Sequence, residues 1–271
     1  TDPPYLQVLD DEWDNAWSSQ REFLEWLQQH VEVWHKLLRF NGSLWCFAYP
    51  RMAAFVEVEI AKRFNVLNHI VWNKRNGGAA SKTNKGALRS FLPLSERIIF
   101  AEHYGADNIA KGASGWGPAC EDLRGFVFEP LRAYLDGEKQ RAGISNREVD
   151  AYLGNFMSGH YFSKSQWALP TEENYDKLRT LFNAQGGQYL RREYEDLRRE
   201  YEDLRRPFSI TAADQYSDVW HFNTSSGEGT YHPAQKPVKL MQHIVSSSTR
   251  PGDLILDSFM GSGTTGVAAV K

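Results

Sequence analysis

The chain has 271 residues, 41% hydrophobic and 13% aromatic, with a formal net charge of −3. That is enough apolar material for one large domain or two smaller ones, and the weakly acidic balance excludes a globally basic nucleic-acid binder, so any basic face must be local. The two cysteines, Cys46 and Cys120, make neither a CxxC pair nor a disulfide framework. This argues against a zinc site and, with no apolar run of membrane-spanning length, leads us to expect a cytoplasmic protein with no membrane partner.

The chain opens on Asp2-Pro3-Pro4-Tyr5. Residues 19–39 follow as an amphipathic helix, with Phe23, Leu24, Leu27, Val31, Trp34, Leu37 and Leu38 at the spacing of one helical face. Asn41-Gly42 stops it. Residues 43–49 read as a short buried strand, 51–64 as a helix, and 68–74 and 97–103 as two further strands, so the first hundred residues alternate in the manner of a parallel α/β sheet. Between the last two strands, Lys74, Arg75, Lys82, Lys85 and Arg89 occur in a Gly/Ser/Asn-rich stretch without an acid. It is either a solvated loop or a phosphate-contacting loop.

After residue 105 the alternation fails. Ser145 and Glu148 fit a capping box and Gly154 a helix stop. A second helix is expected from about Thr171 to Phe182, and these short helices suit either a helix-turn-helix-like reader or a plain helical subdomain. Residues 190–208 repeat a heptad, placing Leu190, Tyr194, Leu197, Tyr201, Leu204 and Phe208 on one stripe, with i,i+4 pairs such as Arg191–Glu195. Two heptads are too few for an autonomous coiled coil, so the stripe is expected to pack on its own domain, with a homodimer through this helix as the alternative. Pro207 ends the helix.

The pattern then returns to α/β. A helix follows His232-Pro233-Ala234-Gln235-Lys236-Pro237, residues 253–259 read as a buried strand, and Gly261 and Gly263 form a turn entering a helix at Thr264-Thr265. Glycines there let the backbone bend and a ligand approach, and the helix start offers free N–H groups. Gly-x-Gly alone is one glycine short of a dinucleotide fingerprint and lacks the Lys-Ser/Thr of a phosphate-gripping loop, so an adenosyl ligand without a phosphate chain suits it better than NAD or ATP.

Asp2-Pro3-Pro4-Tyr5, then His232-x-x-Gln235-Lys236-Pro237, then Asp257-x-Phe259-x-Gly261-x-Gly263 resemble, in that order, the motif set of the beta group of DNA amino-methyltransferases. The resemblance covers nearly the whole chain, least in residues 105–225. It implies a doubly wound, mostly parallel α/β sheet of the Rossmann-like methyltransferase type with an inserted, mainly helical recognition region. Residues 1–105 would be the catalytic half, 106–225 the insertion and 226–271 the cofactor half. It further implies S-adenosylmethionine as cofactor and double-stranded DNA as substrate, with a flipped-out base. Asp2 and the Pro3 carbonyl would accept the amine N–H groups, Pro4 would hold the backbone and Tyr5 would stack on the base. Asp257, Phe259, Gly261, Gly263 and Thr264 would shape the cofactor site, flanked by Gln235, Lys236 and Pro237.

In the family an initial Asp goes more often with adenine N6 than cytosine N4. C5 methylation is set aside because neither cysteine follows a proline. Under the resemblance, Lys74, Arg75, Lys82 and Lys85 are expected to face DNA, and Lys164, Gln166 and Trp167 are candidate base readers. A bacterial or phage source and a cognate restriction nuclease are further expectations. The family has a strand before its Asp-Pro-Pro-Tyr and an acid-ending strand after its Gly-rich helix. Neither is in this sequence, so it is expected to be a fragment of a longer chain.

Overall fold

The computed structural model describes residues 1–75, 84–103, 127–164, 167–212, 214–225, 232 and 234–271. The chain divides into two compact units, one of residues 1–103 and 207–271 and the other of residues 104–206.

The first unit is built on a four-stranded sheet in the order β1-β3-β2-β4. Its strands are β1 (Ser43–Ala48), β2 (Phe64–Arg75), β3 (Ser95–His103) and β4 (Val219–Asn223). β1 is apolar almost throughout because both of its faces are covered. Leu44, Cys46 and Ala48 pack with Phe23, Leu27, Val31 and Trp34 of α1 (Gln20–Leu37) and Val56 and Ile60 of α2 (Ala53–Ala61). The alternate residues, Trp45 and Phe47, pack with Leu240, Met241 and Ile244 of a later helix (Val238–Ser248) and with Ala268. β3 divides the same way, Ile99 and Ala101 to one side, Ile98 and Phe100 to the other. Trp45 and Phe100 face each other across the β1–β3 ladder and stack at 3.9 Å and 12°. Helix α1 starts where Ser19 accepts from the Glu22 backbone N–H, while the Glu22 carboxylate takes the Ser18 N–H at 2.8 Å.

Strand direction is where composition says least. β2 pairs with β4 in parallel, but β1–β3 and β2–β3 are antiparallel. Among the described residues no helix longer than the three-residue turn Lys85–Ala87 lies between β2 and β3, and their antiparallel pairing needs no crossover helix. Two local readings are corrected. Residues 253–259, read as a buried strand, pair with no strand among the described residues, and Leu254 and Leu256 are 94% and 60% exposed. Apolar alternation signals a strand able to be buried, and burial needs a neighbour. β4, inside the stretch read as an insertion, belongs to the sheet unit; at five half-exposed residues it is too short to show a period.

The second unit holds α3 (Glu129–Ala142), α4 (Asn146–Leu153), α5 (Ser158–Phe162), α6 (Glu172–Asn183) and α7 (Tyr194–Leu204) around Leu131, Leu135, Tyr175, Leu178 and Leu197. The capping box of Ser145 and Glu148 is formed and Gly154 ends α4 at φ 71°. The heptad stripe packs inside this unit through Leu190, Tyr194, Leu197, Tyr201 and Leu204, whereas Phe208, beyond Pro207, belongs to the sheet unit and stacks on Phe100 at 5.8 Å and 22°. The helix starts at Tyr194, four residues later than the repeat implies. Leu190 lies outside it at φ 51°, its N–H held at 2.6 Å by buried Glu138. Arg191 therefore bonds Gln188 rather than Glu195, and Arg198–Glu195, Arg199–Asp196 and Arg205–Glu202 pair at i,i+3. In the sheet unit, α8 (Val238–Ser248) and α9 (Thr264–Val270) complete the helices. No described helix is long and apolar enough to cross a membrane.

One histidine pair ties this fold to pH. The buried His103 meets the half-buried His35 edge-on at 4.6 Å and donates from Nε2 to the Leu38 carbonyl, leaving Nδ1 buried without a partner. Burial lowers the His103 pKa and His35 lowers it further; burial and then Arg63 lower that of His35. As pH falls through 6.5 the unfolded histidines bind protons before the folded ones, so the folded state loses stability. The urea midpoint is expected to fall between about pH 7.5 and pH 5.5, and His103→Phe to flatten that dependence; an unchanged slope would show that the pair is not its source.

Candidate active site

The opening segment is held from two sides. The Thr1 nitrogen donates to Trp45 O at 2.8 Å and the Phe47 N–H to Thr1 O at 3.0 Å, so the chain enters alongside β1. On the other side stands Asp14, fully buried at the end of a short 3-10 turn (Glu12–Asp14). Its Oδ1 accepts from the N–H groups of Tyr5 (2.5 Å) and Leu6 (3.1 Å), and its Oδ2 from Val8 (2.7 Å) and Leu9 (2.8 Å). Leu6 and Gln7 both take positive φ, 65° and 58°, a cost to non-glycine residues that the converging N–H groups offset. One carboxylate thus fixes the backbone just behind Pro3, Pro4 and Tyr5.

Four charged side chains surround the Tyr5 hydroxyl. It lies 2.8 Å from Asp2 Oδ1 and 2.9 Å from Glu96 Oε2. Lys236 Nζ donates to Asp2 Oδ2 at 2.5 Å and sits 3.5 Å from Glu96, and Lys74 pairs with the other Glu96 oxygen. The Lys236 ammonium also lies over the Tyr5 and Phe47 rings at 5.2 and 5.1 Å. Burial pushes the Asp2 carboxyl above its ordinary value, against the pull of Lys236 and with help from Glu96. For Glu96 burial acts upward too, but Lys236 and Lys74 outweigh it and hold it low. Burial works against the Lys236 ammonium, yet Asp2 and Glu96 keep its pKa raised. Burial, Asp2 and Glu96 all drive the Tyr5 hydroxyl upward, so it stays protonated.

The Gly-rich turn faces the same space. Asp257 is engaged within it, accepting from Phe259 N–H at 3.2 Å and Thr265 Oγ1 at 2.5 Å. Gly261 and Gly263 hold φ of 54° and 79°, and Gly263 caps α9. Phe259 packs into a ring cluster with Trp26, His30 and Trp34. Ser258 Oγ bridges Trp34 Nε1 and Thr1 Oγ1, each at 3.1 Å. A cavity of about 490 Å³ is lined at once by Asp2, Pro3, Pro4 and Tyr5, by Gln235 and Lys236, by Asp257, Phe259, Gly261 and Thr264, and by Trp13, Trp17 and Trp26. Pro237 is buried as the N-cap of α8.

The structure thus draws the three sequence motifs into one cavity. Other candidates fall elsewhere. Lys74 reaches into the cluster, pairing with Glu96 rather than standing free in the basic loop. Lys164 is exposed in the second unit. Trp167 is buried there, its indole N–H donating to Tyr161 O at 2.9 Å, and so has no edge left to read a base. Lys82 and Gln166, and the side chains of Arg75 and Lys85, lie outside the described residues.

Asp14 and Glu96 were missed from sequence. Asp14 sits in an acidic run that reads as solvated surface. Glu96 lies two residues before the apolar run 98–101, and only that closeness hinted that it would be buried. Asp14→Asn keeps one carbonyl oxygen and leaves buried N–H groups unpaired, an expected loss of about 2–4 kcal/mol in urea unfolding; a wild-type midpoint would show that the loop is held by other contacts.

A family model described as DNA methylase matches residues 1–271. The chain is 23% identical over 270 residues to the DNA adenine methyltransferase YhdJ of Escherichia coli (strain K12), covering 99% of this chain and 66% of that protein. It is 24% identical over 279 residues to the type II methyltransferase M1.MboII of Moraxella bovis, covering 100% and 78%. The chain therefore spans about two thirds of the length of the first of these relatives. Among solved structures, PvuII DNA methyltransferase (cytosine-N4-specific) shares the fold, with a TM-score of 0.51 at 15% identity over 99% of this chain and 69% of that one. A family match over the whole length, with the motifs of that family gathered in one cavity, has one reading: the chain belongs to the N6/N4 DNA methylase family.

Proposed function

We propose that the chain transfers a methyl group from S-adenosylmethionine to the N6 amine of an adenine flipped out of duplex DNA. The observation that carries this is the shared cavity, lined both by the Asp2–Tyr5 segment and by Gly261 and Ser262 of the glycine turn. Its volume of about 490 Å³ lies within the range of small-ligand sites. The residues present fit the cofactor: the glycine turn lets backbone approach closely, Phe259 and Trp26 offer ring faces, and no Lys-Ser/Thr step calls for a phosphate chain. When bound, the cofactor supplies an electrophilic methyl group on a sulfonium.

The protein's part is acceptance and positioning. An exocyclic amine is a weak nucleophile because its lone pair is drawn into the ring. Asp2, when ionised, and the Pro3 carbonyl take its two N–H groups and return that pair to nitrogen. Pro3 and Pro4 offer no competing donors, and the Asp14 clamp keeps both acceptors in place. Phe259, Gly261, Gly263 and Thr264 would hold the cofactor. Asp257 would shape that turn from within, with its carboxylate already committed. The basic residues beyond Lys74, from Arg75 to Arg89, would contribute phosphate contacts. The names of the adenine and type II relatives support the choice of adenine and a pairing with a restriction nuclease.

The test is transfer of labelled methyl groups to duplex DNA followed by nucleoside analysis. N6-methyladenine is the expected product, and N4-methylcytosine would replace that assignment. Asp2→Asn is expected to cut turnover by roughly 10²–10⁴-fold with cofactor binding retained; undiminished turnover would remove Asp2 from the chemistry.

A further inference from the structure

The Tyr5 hydroxyl has one proton and two carboxylate neighbours, Asp2 at 2.8 Å and Glu96 at 2.9 Å. It can donate to only one. If both acids were ionised, the other contact would set two oxygen lone pairs against each other in a buried place, which costs free energy. A second proton on one acid satisfies all three oxygens. Which acid holds it follows from what surrounds each. Glu96 faces two ammonium groups, Lys74 on β2 and Lys236 before α8, and receives a hydroxyl besides. Asp2 faces Lys236 alone, with Glu96 as a like charge beyond Tyr5. Asp14 and Asp257, which line the same cavity, are committed to their own loop and turn.

We infer that Glu96 is a positioning residue for the reaction: it draws the Tyr5 proton to itself, turns the Tyr5 oxygen toward Asp2 as an acceptor, and so favours the protonated form of Asp2. Asp2 then ionises closer to the working pH, where a carboxylate is a stronger acceptor for the amine proton. The raised Asp2 and lowered Glu96 agree with this order of acidity. The inference rests on the reading of Asp2 as the amine acceptor for its meaning, but its core, the location of one proton, is measurable without turnover.

Infrared difference titration of the cofactor-free protein reads that proton as the carbonyl band of a carboxylic acid, assigned to Asp2 by its absence in Asp2→Asn. Glu96→Gln, which keeps the shape and donates to Tyr5, is expected to move the Asp2 midpoint down by at least about one pH unit, roughly a tenfold shift in the ionisation equilibrium. The acid limb of the kcat profile should move with it. Tyr5→Phe separates the two hydroxyl orientations. If Tyr5 accepts from Asp2, its loss lowers the midpoint; if Tyr5 donates to Asp2, its loss raises it. A rise in Tyr5→Phe, an unmoved midpoint in Glu96→Gln, or the lack of any Asp2 acid band above the ordinary range would each overturn the inference. Should the band behave as expected while no methyl group is transferred, the proton assignment stands and the proposed function fails instead.

Discussion

Everything about this site depends on burying charge around a single hydroxyl. Asp2, Glu96, Lys74 and Lys236 are two carboxyl groups and two ammonium groups taken largely out of water, and each would be costly to hold ionised alone. Pairing makes them tolerable, and pairing needs fixed geometry. That geometry comes from four places in the chain: the opening segment, the ends of β2 and β3, and the segment entering α8. The sheet carries Lys74 and Glu96 on adjacent, antiparallel strands, close to the Trp72–Glu96 register pair. The rigid ladder therefore acts as the ruler for the cluster.

The same sheet explains why so apolar a set of strands holds so polar a site. β1 and β3 are covered on both faces, so their interiors accept no charge. Polar residues collect at the strand ends and the loops beyond them, where an open α/β sheet binds its ligands. Trp17, Trp26 and Phe259, in ring contact with one another, supply an aromatic wall to the cavity that the charged residues also line. A cavity with one charged and one aromatic wall can orient a ligand that is charged at one end and flat at the other.

Much of this was legible in the sequence, and what was not has identifiable causes. α1 showed because four buried residues recur at helical spacing, and the capping box because its two side chains are local. The three motifs showed because each is contiguous. Strand direction did not, since apolar alternation is the same in either sense. β4 was too short to show a period. Glu96 and Asp14 stayed hidden because their partners are backbone groups and side chains from other parts of the chain, and a lone acid looks the same whether it will face water or a buried hydroxyl.

The link from Ser258 to Thr1 joins residues 257 positions apart. Closing a loop of that length costs little extra at equilibrium, because the entropy grows only with the logarithm of length. Its effect is on timing. During synthesis the opening segment leaves the ribosome long before the glycine turn exists, so one wall of the cavity waits without the other. Contacts of such long range are also slow to form in a refolding chain. The contact between the opening segment and the glycine turn, and with it closure of the cavity they both line, is therefore expected among the later events of folding.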